Sequence, residues 1–73
     1  MKHFFWLQSK LFRLSNIKIV SKVSEVGTEG GGFIVWDEMH QDNLGFSISY
    51  PTMKEAVAVH SALIEALENE HYG

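Results

Sequence analysis

The sequence predicts an α+β fold: an antiparallel meander sheet of three to four strands with one C-terminal α-helix packed on one face. Three observations carry that expectation. Thr52-Met53-Lys54-Glu55 has the form of a capping box and opens a run of helix formers that reaches about residue 69. Leu44-Gly45-Phe46-Ser47-Ile48-Ser49-Tyr50 alternates apolar and polar residues with a period of two, as a half-buried strand does. Gly27-Thr28-Glu29-Gly30-Gly31-Gly32 separates two apolar runs and reads as a hairpin loop.

The N-terminal fourteen residues admit two readings. Phe4, Leu7, Leu11 and Leu14 fall at helical spacing, with Lys10 and Arg13 opposite, which suits a basic amphipathic helix. The aromatic content and the turn-like Gln8-Ser9-Lys10 favour strands instead, the first over about 3–7. The next is drawn unbroken over about 11–23, where alternation sends Ile17, Ile19 and Val23 inward and Lys18 and Lys22 outward. Phe33-Ile34-Val35-Trp36 is apolar on both faces and marks a central strand over about 33–39. A polar turn, Glu38-Met39-His40-Gln41-Asp42-Asn43, leads to the strand over about 44–50. Pro51 keeps Tyr50 extended before the helix over about 53–69. On that helix Met53, Ala56, Val57, His60, Leu63, Ile64 and Leu67 gather on one face, the predicted core stripe. Ala58, Ala62 and Ala66, with Val59 beside them, fall on the far side; they serve helix propensity or, alternatively, a close helix contact in a dimer.

This order of elements resembles a type of small bacterial or phage single-domain protein, a short β-meander closed by one C-terminal helix. The resemblance rests on the aromatic first strand, on Leu11-Phe12-Arg13-Leu14-Ser15-Asn16-Ile17, on the Gly-rich hairpin and on Thr52-Met53-Lys54-Glu55-Ala56. The arrangement is similar to a reduced pleckstrin-homology-like half barrel. It implies a fold and brings no catalytic or ligand residues.

Length and composition narrow the function classes. Seventy-three residues make one domain with a thin core, because a chain this short buries only about 60% of its unfolded surface. The absence of cysteine removes disulfides and thiolate metal sites. The net charge of −3 is unevenly spread. Residues 1–24 hold Lys2, Lys10, Arg13, Lys18 and Lys22 with no acid, whereas residues 25–73 hold all nine acids against Lys54. Phe4-Phe5-Trp6-Leu7 is too short for a signal-peptide core, and no run approaches a membrane span. The expected location is therefore cytoplasmic, without a membrane partner.

No reaction chemistry is spelled out. His60 sits on the apolar stripe and reads as a core histidine held by a hydrogen bond. His40 lies among Asp37, Glu38 and Asp42, a set that reads as a solvated turn, and His3 and His71 lie near the ends. No metal and no other cofactor is expected, and the glycine run lacks the Lys-Ser/Thr ending of a phosphate loop. No local signature places a Ser or Thr beside a base, so the protein is expected not to be an enzyme.

The stronger signal is a sheet face that one helix cannot cover. If Ile17 and Ile19 face the helix, Val20 faces outward with Lys18 and Lys22. Either Ile34 and Trp36 or Phe33 and Val35 join it, unless the N-terminal segment folds across. The expected function is protein binding through Trp36, Val20, Lys18 and Lys22, with Trp6 as a further contact, in a homodimer or as a phage- or plasmid-type inhibitor of a host protein. The alternative is a single-stranded nucleic-acid or nucleotide binder that uses the basic N-terminal third with Phe4, Phe5, Trp6 and Phe12.

Overall fold

Local chemistry sets the ends of most elements, and long-range contacts set how they pack. A computed structural model describes residues 3–38 and 45–72, the last two as backbone only. In chain order the elements are β1 (Phe4–Leu7), β2 (Lys10–Arg13), a 3-10 turn (Leu14–Asn16), β3 (Ile17–Val20), β4 (Ser24–Val26), β5 (Gly30–Asp37), β6 (Phe46–Tyr50) and α1 (Met53–Tyr72). The architecture is α+β, with antiparallel strands in a two-stranded and a four-stranded sheet and the C-terminal helix packed against the latter.

The N-terminal segment takes its strand reading. β1 and β2 pair as a hairpin in which Phe5 faces Phe12 and Trp6 faces Leu11. Two residues connect them, and Gln8 has the positive φ of 59° that the first position of a primed turn requires. The Gln8 amide nitrogen donates to the Ser49 carbonyl, which ties this turn to β6. Leu14 N–H donates to the His3 carbonyl at 2.9 Å and closes the open end of the hairpin.

β5 is the spine of the larger sheet. Along one edge it pairs with β3 near its C-terminal end and with β4 near its N-terminal end, while β6 runs along the other edge. The strand predicted over 11–23 is therefore broken twice, by the 3-10 turn and by residues 21–23. The glycine run also departs from its expected role. Only residues 27–29 form the turn; Gly30, Gly31 and Gly32 pair with β4, and Gly31 and Gly32 also pair with β6. A Cβ at Gly31 would lie 2.8 Å from Met53 Sδ and 2.9 Å from Ala56 Cβ, so its missing side chain is what lets α1 approach the sheet.

The helix begins where the cap places it. Thr52 Oγ1 accepts from Glu55 N–H at 3.2 Å, the forward half of the capping box, and Met53 N–H donates to the Glu29 carbonyl at 2.9 Å. Ala56 and Leu63 are fully buried, and Val59, Ala66 and Leu67 pack against the core. The stripe is rotated from the predicted one. Val57 is 47% exposed, while Val59 and Ala66, expected on the far side, face inward.

The core joins Leu7, Phe12 and Leu14 to Ile17, Phe33, Val35, Ile48 and Leu63. The hairpin and the helix thus fill the same side of the four-stranded sheet. Phe12 meets Phe46 edge to face at 5.2 Å, and Lys10 Nζ lies 4.3 Å from the Phe46 ring centre. His3 Nδ1 lies 3.0 Å from a Glu70 carboxylate oxygen, linking the start of the chain to the end of α1. No helix among the described residues is long and apolar enough to cross a membrane.

Candidate protein-contact face

Alternation along β5 decides which residues face away from the helix. Phe33 and Val35 are buried in the core, so Ile34 and Trp36, both half-buried, point to the other side. Trp36 is paired with Ile19 of β3, and Ile34 with Ser47 of β6. Ile19 is 58% exposed, and Val26 of β4 is 46% exposed. These four side chains make the apolar part of the outer face. A Cβ at Gly45 would lie 2.9 Å from both Trp36 Nε1 and Ile34 Cγ2. Glycine there lets the chain entering β6 run close against both side chains.

One predicted contact residue changes sides. Val20 pairs with Val35 and packs against the core, and Ile19, expected to face inward, takes the outward place. The cause is a shift of register between Ile17 and Ile19, which leaves Lys18 as the extra residue of a β-bulge. An extra residue reverses the facing of everything after it, so Ile17 and Val20 both reach the core three positions apart. Val23, a further three positions along, also packs against the core.

The charged residues stay on the surface. Lys18 and Lys22 are exposed, and Lys22 borders a shallow depression with Ser24, Val26, Gly32, Ile34 and Ser47. Trp6 is 63% exposed, but it belongs to the hairpin, where it pairs with Leu11, itself 47% exposed. Trp6 is thus part of a second apolar patch on the smaller sheet. The hairpin sends Leu7 and Phe12 into the core beside α1 instead of folding across Ile34 and Trp36.

The structure distributes the basic aromatic set of the N-terminal third between core and surface. Phe12 is buried, Phe4 and Phe5 are half-buried, and the Arg13 guanidinium lies 6.0 Å from the Phe4 ring centre. Trp6 is its exposed aromatic, and Lys2 lies outside the described residues. His40 and Asp42 also lie outside them. Among the described residues no three histidine or carboxylate side chains gather as metal ligands.

His60 makes the hydrogen bond its position predicts, but from a half-buried site at the edge of the core. Its Nε2 lies 2.9 Å from the Ser21 carbonyl oxygen, and its ring meets Phe33 edge to face at 5.1 Å. A carbonyl only accepts, so Nε2 carries the hydrogen. Sequence reasoning did not find Ile19 and Val26 as outward residues, nor Ser21 as the partner of His60. Val26 had a usable signal, as an apolar residue just ahead of the turn; the bulge at Lys18 has none. Comparison of the chain with protein-family models, with curated proteins and with solved structures finds no match.

Proposed function

We propose that this protein is a non-catalytic binding module that self-associates through the outer face of its four-stranded sheet. The observation that supports this reading most is the apolar row of Ile19, Trp36, Ile34 and Val26, of which Ile19 is 58% and Val26 46% exposed. Left in water these side chains gain nothing from being apolar, whereas burial against another copy removes that area from water at roughly 25 cal/mol per Å². A stable interface takes roughly 800 Å² from each partner. That is roughly 15% of the 5343 Å² this chain exposes.

Lys18 on β3 and Lys22 in the break between β3 and β4 are exposed beside this row. Trp36 supplies the aromatic anchor and Ile19 the exposed rim that seals it.

Sedimentation velocity across a concentration series tests the reading. Association that rises with concentration and is lost in Ile19→Glu supports it. A monomer at every concentration rejects it. Ile19 is exposed, so the charge is tolerated by the fold and the variant separates contact from folding.

A further inference from the structure

The outer face depends on a contact made from the opposite side of the sheet. In a regular antiparallel ladder two facing residues exchange two backbone hydrogen bonds. Ser21 and Ile34 complete only half of that exchange with backbone atoms. Ser21 N–H donates to the Ile34 carbonyl at 2.9 Å, but Ile34 N–H donates at 2.8 Å to Ser21 Oγ. The hydroxyl in turn donates to the Lys22 carbonyl at 3.1 Å. The Ser21 carbonyl is thereby released from the ladder, and it accepts from His60 Nε2 on α1 at 2.9 Å.

This substitution coincides with a second change of register. Ser21 stands opposite Ile34, yet Ser24 stands opposite Gly32, so β4 has gained one residue on β5. A single added residue exchanges inward and outward positions after it. In an unbroken continuation of β3, Val23 would turn outward and Lys22 inward. The observed arrangement is the reverse: Val23 packs against the core and Lys22 is exposed at the depression beside Val26, Gly32 and Ile34.

We infer that His60 is a positioning residue for the outer face: its Nε2–H holds the Ser21 carbonyl out of the ladder and so keeps Lys22 outward and Val23 inward. Without a donor on α1 that carbonyl is either left unpaired in a half-buried site, which is costly, or returns to Ile34 N–H and removes the extra residue. Phe33, adjacent to Ile34 on β5, holds the imidazole edge to face at 5.1 Å and fixes its direction. The consequence for association rests on the reading of the outer face as the contact, but the facing of Lys22 and Val23 is measurable without it.

The chain has no cysteine, so single thiols report facing cleanly. Lys22→Cys and Val23→Cys are made in the otherwise natural chain and again with His60→Leu or His60→Gln, and thiol-labelling rates are compared. In the natural background the thiol at position 22 is expected to react at least about tenfold faster than that at 23, the equivalent of about one net hydrogen bond in local opening. His60→Leu is expected to bring the two rates together, and His60→Gln, which keeps an N–H at the same reach, to restore the difference. Unchanged rates in His60→Leu, or loss in both variants alike, overturn the inference. If His60→Leu does not fold, the ring nitrogens of the natural chain decide the matter by NMR at a pH where the imidazole is neutral. Hydrogen on Nε2 with a coupling to the Ser21 carbonyl supports the inference, and hydrogen on Nδ1 overturns it. A natural chain that shows the labelling contrast but remains monomeric would reject self-association and leave the role of His60 standing.

Discussion

Tyr50 lies on the inner side of β6, opposite Gly31, where burial and then the nearby Glu55 carboxylate disfavour its phenolate. Its hydroxyl is held above the ordinary value near 10. The folded chain therefore keeps this proton at a pH where the unfolded chain has begun to lose it. Stability is unaffected by Tyr50 below the unfolded value and falls as pH rises from there toward the folded value. Tyr50→Phe is expected to remove that part of the alkaline decline, as denaturant unfolding at neutral pH and above pH 10 will show. Two neighbouring residues give a sharper test of facing. Ile19→Ala is expected to change stability by less than about 0.5 kcal/mol, and Val20→Ala to cost about 1–3 kcal/mol. Equal costs would mean that β3 is not bulged at Lys18. Leu63, with no exposure at all, is the side chain of α1 on which the core most depends, and Leu63→Ala is expected to cost about 2–5 kcal/mol.

At the scale of elements, α1 and β6 were the most legible because their signals are local. Thr52 caps its own helix three residues on, and Ser47 and Ser49 alternate with Phe46, Ile48 and Tyr50 within a single strand. Thr52→Ala is expected to cost about 1 kcal/mol, measured by thermal or denaturant unfolding. The central strand was legible as far as its apolar run, but its glycines were not. Gly30 to Gly32 look like a loop by composition, and they are strand because α1 needs the space above Gly31. Gly31→Ala is expected to destabilise by about 1–3 kcal/mol through overpacking against Met53 and Ala56. The breaks in the strand predicted over 11–23 could not be seen at all. The break at Ser21 depends on His60, thirty-nine positions away, and no spacing within the strand encodes a partner so distant. The bulge at Lys18, which no spacing within the strand signals, turns Val20 away from its expected outward position. Lys18 and Lys22 are exposed as expected, and of the two open alternatives on β5 it is Ile34 and Trp36 that face outward. The hairpin was ambiguous because positions 4, 7, 11 and 14 suit a helix face as well as two strands. Pairing of Trp6 with Leu11 across the turn decided between them.

For the whole molecule, the modest net charge conceals a division along the sequence that the fold only partly keeps in space. Lys18 on β3 and Lys22 between β3 and β4 are exposed, but so is Glu25 on β4, and α1 carries exposed Lys54 together with Glu55, Glu65 and Glu68. Among the described residues the hairpin and the helix both serve the inner core. The other side of the sheet offers Ile19, Trp36 and Ile34, with Val26 across the depression at Gly32, and the proposed self-association would give these side chains a partner. Sedimentation velocity of the natural chain and Ile19→Glu over the same concentration series is the most direct test. Reversible association in the natural chain and a monomer in the variant are the expected result. A natural chain that stays monomeric throughout, or a variant that associates equally well, would contradict the role given to the outer face.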